Sequence, residues 1–594
     1  MDAAAQADDS LVALQLFSGD RDVTPQYEII AVHIQRAANM IPSARIEMRD
    51  GNVADREFEA SDAATFRPGA RIRIAAGYGR QLHSCFEGVV VKHGIRVGSD
   101  RSRLIVECRD QAAAMCVGRR NANYQDRKDS EIIAALIASH GLRAEVADTS
   151  VTHALLVQHY TTDWDFVLAR AEASGALVVV HDGEVRVEPP QLSEPPVLEL
   201  QYGVDVMEFE ADVDARMQLA SAQAVCWDPK TQAVLQGHAA APEALNRQGD
   251  LDSRMLSQVL KLDGYRLQTG AAATQESLAQ WARSQQLKSG LARIRGHMKL
   301  QGSAAVLPGA LIAIKGVGTH FSGQVLVSSV EHHLEEGNWI TTAHFGMQPS
   351  WFTERADVLA PAAGGLLPAA RGLAIGVVLQ LDGDPEGAHR VQVSVPVLEA
   401  QSAGIWARLA TLHASDTFGT FWVPEVGDEV VLGYFNEDPS CPVILGSLYS
   451  SKRNPPHALT ASNDIKAIVT RCKSTLEFNE ADKVITITTP GRNRIVLSDA
   501  AKSLVIHDQN DNKVTLTPSG ISLESPQDIT ITAKGKFTVD ALGPIGLTSK
   551  ADVKAAGLNV SCEAQVAFAG KGSASAELAA AGQTVVKGAL VMIN

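Results

Sequence analysis

The sequence predicts a mainly β chain: an α+β N-terminal region with two related β-barrels and short helices, then a small closed barrel, then a narrow stack of short strands built from several identical chains. Three observations predict it. A turn, strand, turn, strand block starting at Pro68 returns at Pro308, at least five strand-like runs crowd into residues 373 to 450, and from about residue 471 short apolar alternations recur every 8 to 10 residues. A length of 594 residues, roughly four times a typical ~150-residue domain, asks for at least three domains.

Composition narrows the function. Lys+Arg 53 against Asp+Glu 68 gives a net charge of −15, which repels phosphate backbones and anionic lipid, so nucleic acid and membrane surfaces are not expected partners. Hydrophobic content of 45% with 20% charged residues is that of a folded chain. The seven cysteines, Cys85, Cys108, Cys116, Cys226, Cys441, Cys472 and Cys562, never form Cys-x-x-Cys, which argues for a reducing compartment rather than a disulfide framework or a zinc site. Met1 to Asp22 shows no apolar core with a cleavage site, so assembly in the cytoplasm without a signal peptide is expected. Pro361, Gly364, Gly365, Pro368 and Arg371 break the apolar stretch from Leu359 to Leu381, which reads as a linker rather than a membrane span.

Along residues 1 to 357, Asp129 is an N-cap candidate for an apolar stripe ending at Gly141, which predicts a short helix. Thr162-Asp163-Trp164-Asp165-Phe166 opens a second helix with a Thr-x-x-Asp cap, closed by Gly175 and followed by a hairpin turning at Asp182-Gly183. A third helix is predicted from Thr274 to Ser289, ending at Gly290. The repeat sets Pro68-Gly69, Arg71 to Ile74, Gly77-x-Gly79 and Phe86 to Val90 against Pro308-Gly309, Leu311 to Ile314, Gly316-x-Gly318 and Phe321 to Val325. The offset is 240 residues at Pro68 and Pro308 and 235 at Phe86 and Phe321, a drift that loop trimming explains. The segment 358–372 is the linker.

In 373–450, the runs Ala374 to Leu381, Val391 to Val395, Ile405 to Leu409, Thr420 to Val423, Glu429 to Tyr434 and Val443 to Leu448 predict five or six strands and a barrel of OB type. Residues 451–470 read as a connector. In 471–594, Leu476 to Phe478, Val484 to Ile487, Ile495 to Leu497, Leu504 to Ile506, Val514 to Leu516, Ile521 to Leu523 and Ile529 to Ile531 are short strands with no second layer in the same chain. Intertwining with identical chains supplies that layer, so an obligate homo-oligomer is expected.

Signatures of catalysis are weak. Gly77-x-Gly79 and Gly316-x-Gly318 lack the third glycine and the helix of a dinucleotide loop, and neither a Gly-x-Ser-x-Gly nor a His-Glu-x-x-His occurs. His332-His333 beside Glu335 suggests a metal site, but neighbours on a strand point to opposite faces and cannot chelate one ion. Asp382 to Gly387 is acidic but lacks the spacing of a Ca²⁺ loop and reads as a tight hairpin turn. Trp406, Trp422 and Tyr434 are read as packing residues rather than a stacking platform. No catalytic, metal or cofactor-binding residue is assigned. The alternative is a glycan-binding or peptidoglycan-hydrolysing site, for which Asp416, Glu425 and Glu437 are the candidate carboxylates.

Gly376-Val377-Val378, Asp384-Pro385, Arg390 to Val393, Trp406-Ala407-Arg408, Pro424 with Gly427 to Val430, Asp438-Pro439, Pro442 to Tyr449 and Asn454-Pro455-Pro456 form an ordered series that resembles the OB domain of VgrG and phage baseplate spike proteins. The Asp163 to Phe166 helix with its hairpin is similar to the hub domain of that family, and the region from 471 resembles its β-helical needle. The resemblance implies the trimeric spike of a contractile injection system. Its N-terminal hub caps the tail tube, and two tube-like barrels per chain give six in the trimer. Its needle points at the target envelope. The implied partners are two further copies, a tail tube protein or tube initiator ring, baseplate proteins, a cargo effector and a PAAR-type tip protein. Leu590, Val591, Met592, Ile593 and Asn594 resemble the blunt apolar platform that seats that tip, or form a last strand closed within the trimer. Residues 451–470 cannot hold the lysozyme domain of some phage spikes, and no toxin domain follows the needle, so a mechanical, non-enzymatic spike is expected, with a leaning toward an extracellular phage-tail-like particle.

Overall fold

A computed structural model of the chain describes residues 11–98, 102–239, 247–261, 264–398 and 404–593. The chain divides into two compact units, Met1–Leu448 and Tyr449–Asn594. The largest sheet of the first unit has thirteen strands. Beside a two-residue edge strand, Arg21–Asp22, which pairs with the first of them, its strands are β1 Val12–Ser18, β2 Ile29–Ala37, β3 Ser43–Arg49, β4 Arg71–Tyr78, β5 Gln81–Val97 and β6 Ser102–Arg109, then β7 Leu198–Gln201, β8 Val206–Val213, β9 Ile294–Gln301, β10 Leu311–Lys315, β11 Gly323–Glu335 and β12 Asn338–Phe345.

The first six strands lie in the order β2-β3-β6-β5-β4-β1 and the second six in the order β8-β9-β12-β11-β10-β7. Each strand of the first half therefore matches the strand numbered six higher. The one inversion is that β1 runs antiparallel to β4 while β7 runs parallel to β10. The repeated Pro-Gly blocks form the equivalent strands β4 and β5, and β10 and β11. Gly77 is required at its hairpin because a Cβ there would lie 1.7 Å from the Gln81 carbonyl oxygen. Gly316 and Gly318, at φ 81° and 83°, hold left-handed backbone in the second hairpin.

Both halves share one ladder, because β2 pairs antiparallel with β11 and His33 stands opposite His333. Among the described residues the hydrogen-bonded ladder closes in neither half, so the two barrel-like repeats are fused edge to edge. Pairing β2 with β11 satisfies backbone groups that would otherwise line two open edges. Each half keeps its own apolar centre. Leu16, Ile34, Ile46, Phe66 and Phe86 fill the first and Leu200, Met298, Ile312, Val327 and Phe345 the second.

Between the halves sit α1 Asp129–Ser139 and α2 Asp163–Ala173, with a hairpin of Leu177–His181 and Glu184–Glu188. Ile132, Leu136, Val167, Val178 and Val185 form their core. The Thr162 hydroxyl caps α2 by accepting the Asp165 N–H at 3.0 Å, as the cap pattern predicts. The expected Asp129 cap is corrected: Lys128 holds the N-cap position, its N–H donating to Glu131 at 3.1 Å, and Asp129 turns inward. A third helix, α3 Gln275–Leu291, starts at the Thr274 cap and runs one residue past Gly290.

Residues 374–447 form a closed five-stranded barrel. Strands β13 Ala374–Gln380, β14 Val391–Ser394, β15 Ile405–Leu409, β16 Glu429–Tyr434 and β17 Pro442–Ser447 are ordered β13-β14-β15-β17-β16 around Val378, Val393, Ala407, Val430 and Ile444. Thr420–Val423 is not a strand, because this stretch lies in a loop whose pairing is the single bridge Ala414 to Gly419.

The second unit contains a seven-stranded antiparallel meander of β18 Ile465–Val469, β19 Thr475–Asn479, β20 Val484–Thr488, β21 Arg494–Ser498, β22 Ser503–His507, β23 Lys513–Thr517 and β24 Gly520–Glu524. The meander begins inside the expected connector 451–470. Ala467 and Lys466 dilute the apolar alternation of β18, which hid that strand. Ile529 to Ile531 forms no strand within this chain.

Candidate functional site

The meander is regular at two levels. Each strand is five residues long, and the first six begin at 465, 475, 484, 494, 503 and 513, a pitch that alternates between ten and nine. The turns close through left-handed residues at Lys473, Lys483, Arg492, Lys502 and Asp511. Side chains on a strand alternate between faces, so this register stacks two columns on one side of the sheet. Leu476, Ile487, Ile495, Ile506, Val514 and Leu523 are successive partners in one column. Phe478, Ile485, Leu497, Leu504, Leu516 and Ile521 are successive partners in the other. The opposite face carries Glu477, Thr486, Val496, Val505, Thr515 and Ser522 as successive partners along the middle of the strands.

Nothing within the unit covers the apolar columns. Phe478, Ile487, Leu497 and Ile506 remain 36%, 43%, 42% and 43% exposed, and among the described residues from 449 to 593 none is buried. Beyond β24 the described residues form neither strand nor helix, while Ile529, Ile531, Phe537, Val539, Val560 and Val585 stand exposed. An apolar sheet face of this length in water is stable only when another layer removes it from solvent. The expected platform residues Leu590, Val591, Met592 and Ile593 are 79%, 49%, 78% and 91% exposed, and Asn594 lies outside the described residues.

The candidate carboxylates of the alternative reading lie on two connections of the barrel, Asp416 and Glu425 between β15 and β16 and Glu437 between β16 and β17. Asp416 lies in the exposed loop after β15, Glu425 in the turn before β16, where its N–H donates to Asp428, and Glu437 pairs with Arg371 at 3.5 Å. Asp384 is a structural acceptor. It takes both fork nitrogens of Arg390 and the N–H groups of Glu386 and Ala388, and these bonds, Arg390 foremost, hold its carboxyl well below the usual range. Tyr434 packs against the barrel core as expected. Trp422 does not: it is 58% exposed beside Phe418 and Phe421, because the loop carrying it is not part of the barrel ladder.

His332 and His333 take opposite faces of β11. The His332 ring is buried against Thr341 and Trp339, and burial pushes its pKa down to about 3. His333 faces out and lies beside His33, with ring centroids 5.4 Å apart and planes tilted by 51°. The sequence reading missed this neighbour, because the two histidines lie 300 residues apart and share no local pattern.

Also missed were the buried ion pairs that lock the helical insert. Asp129 accepts Nε and Nη2 of Arg170 at 2.6 and 2.9 Å and Nε2 of His153 at 2.9 Å. Burial alone would raise its carboxyl, but the bonds from His153 and Arg170 more than offset that and hold it low. Asp182, at the hairpin turn, accepts the buried Arg36 of β2 at 2.9 Å and the Glu87 N–H of β5 at 3.1 Å, tying the insert to the sheet.

Comparisons with known proteins place these parts. The family described as "Alg8 N-terminal domain" matches residues 8–336, and the "Type VI secretion system/phage-baseplate injector OB domain" matches residues 374–449. Among curated relatives, the type VI secretion system spike protein VgrG3 of Vibrio cholerae is 34% identical over 59 residues, 10% of this chain and 6% of its own. VgrG1a of Pseudomonas aeruginosa is 25% identical over 83 residues, 14% of this chain and 13% of its own. The matches thus span a small part of those relatives. Of solved structures, the 43 kDa tail protein of prophage MuSo2 from Shewanella oneidensis is similar at 12% identity, covering 57% of this chain and 98% of that one with a TM-score of 0.44. A chain of the Francisella PdpA-VgrG complex is similar at 7% identity, covering 88% of this chain and 81% of that one with a TM-score of 0.36. With the Alg8 N-terminal domain over more than half its length, the chain belongs to the Alg8 N-terminal domain family, and behind it residues 374–449 carry the type VI secretion system and phage-baseplate injector OB domain, alongside short matches to curated VgrG spike proteins.

Proposed function

We propose that three copies of this chain form the central spike of a contractile injection system, in which residues 1–357 make the hub that caps the tail tube and residues 471–594 make the needle. The observation that carries this reading is the pair of apolar columns on the meander, uncovered in a unit where no described residue is buried. Three copies turned face to face around one axis cover all three sets of columns at once. Burial of each Leu, Ile or Phe contributes about 1.5–3 kcal/mol, enough over twelve positions to make assembly obligatory. The extended stretch after β24 gains its missing backbone partners in the same step. In the hub, the two matched six-stranded halves of each chain supply six similar units per trimer, which suits docking onto a sixfold tube.

The role is mechanical. Puncture energy comes from the contracting sheath, so rigidity of the rod is what the chain provides. The exposed end at Leu590 to Ile593, continued by Asn594, seats a PAAR-type tip protein, and baseplate proteins and a cargo effector complete the partner set. Assembly proceeds in the bacterial cytoplasm, and the product is part of a phage-tail-like particle that acts outside the cell.

Multi-angle light scattering of the purified full-length chain tests the reading. A mass of three times 63.2 kDa supports it. A folded monomer would remove the covered columns and the six-unit hub together.

A further inference from the structure

The outward face of the second half of the sheet carries acid and imidazole groups at matched positions on three adjacent strands. Glu208 and Glu210 lie two apart on β8 and so share a face. His297 on β9 stands directly opposite Glu210 on one side and opposite His344 of β12 on the other. A carboxylate oxygen of each glutamate and a ring nitrogen of His297 lie within 4.8 Å of one another, and the His297 and His344 rings are 5.5 Å apart.

We propose that Glu208, Glu210, His297 and His344 form a binding site for one divalent metal ion of the zinc class. Two carboxylates and two imidazoles are a donor set that suits such ions, which take nitrogen at about 2.0–2.1 Å and carboxylate oxygen at about 2.0–2.2 Å. Side chains directly opposite across neighbouring strands have Cβ atoms about 4.5–5.5 Å apart, a spacing two imidazoles can span to one ion. A cation already occupies the cluster: the Lys299 ammonium donates to Glu208, and His297 bonds the same carboxylate at 3.1 Å. The ion would displace Lys299. Glu331, 3.8 Å from His344 on the far side, is placed to hold that ring from behind.

The location gives the ion a task. Among the described residues β8 ends the sheet and its one ladder partner is β9, apart from a single bridge from Val206 to Tyr202, so a metal bridging β8, β9 and β12 would pin an edge strand to the two strands behind it. The corresponding face of the first half is closed instead by Arg45 and Arg103 on Glu47, fixed cations that need no ion.

Full-length protein, stripped with chelator and alkylated at its exposed thiols, is titrated with zinc by calorimetry, and cobalt is followed by its visible absorption. One saturable ion per chain is expected. His297→Ala and Glu210→Gln should each weaken it about tenfold or more without moving the unfolding midpoint of the metal-free protein, while Lys299→Met should tighten it. Absence of a saturable site in the parent protein, or full affinity in His297→Ala, would overturn the proposal and leave the acidic residues as charges that blunt an edge strand.

Discussion

The indole of Trp339, on β12 of the second half, stacks on the phenol of Tyr78, on β4 of the first, with centroids 5.6 Å apart and planes at 25°. Trp339 and Leu334 are buried in the core of the first half although both belong to the second. The two repeats are thus locked by a shared aromatic contact as well as by the β2 and β11 ladder. Gly302 lies against the same indole so closely that a Cβ there would sit 2.0 Å from Trp339 Cδ2.

Trp339→Ala should therefore destabilise the hub by about 3–5 kcal/mol through the cavity it leaves between the halves. Gly302→Ala should also destabilise it, by pushing the indole out of place. Guanidinium unfolding of the full chain followed by far-ultraviolet circular dichroism measures both. Midpoints equal to the parent's would show that the halves do not depend on this contact.

His332 predicts a pH dependence. Its native pKa is pushed to about 3, mainly by burial, while an unfolded histidine titrates near 6.5. Between those values the unfolded chain binds a proton that the native chain refuses. Stability from this group is therefore complete above about pH 6.5 and is lost as pH falls toward 3, by at most about 1.4 kcal/mol per pH unit. His332→Gln should flatten that slope in unfolding midpoints taken at several pH values.

Asp129 acts at a lower pH. Its native carboxyl is held below the ordinary value, so the stability it provides is present above the unfolded pKa near 4 and disappears as pH falls through the native one. Asp129→Ala strands Arg170 in the insert, and loss of one partner from a buried pair costs about 3–5 kcal/mol. Hydrogen exchange of α1 and α2 reads this locally, with faster exchange there expected in the variant.

Leu497 separates the assembled needle from the isolated meander. A residue 42% exposed in the single chain should tolerate lysine with little loss. Inside three packed faces the same lysine has no partner for its charge. Leu497→Lys should shift the mass measured by light scattering from three chains to one, and an unchanged trimer would place the columns elsewhere.

At the far end, a Val591→Asp and Ile593→Asp pair should abolish capture of a purified PAAR-type tip protein while leaving the mass of the assembly unchanged. Loss of both tip binding and assembly would assign these residues to closing the last strand.

Features set by neighbours in the chain were legible from sequence. Helix caps such as Thr162, the hairpin glycines and the nine-to-ten-residue pitch of the meander each depend on a few adjacent residues, whose spacing encodes turn chemistry and side-chain alternation directly. Even there, Ala467 and Lys466 were enough to hide β18. What only the tertiary structure decided is which edges meet. The pairing of β2 with β11 sets His33 against His333 and fuses two repeats into one sheet. The cross-strand meeting of Glu210, His297 and His344 is of the same kind. Such contacts join residues tens to hundreds of positions apart, and their driving force is burial of whole faces and satisfaction of strand edges, which leaves no trace in local periodicity.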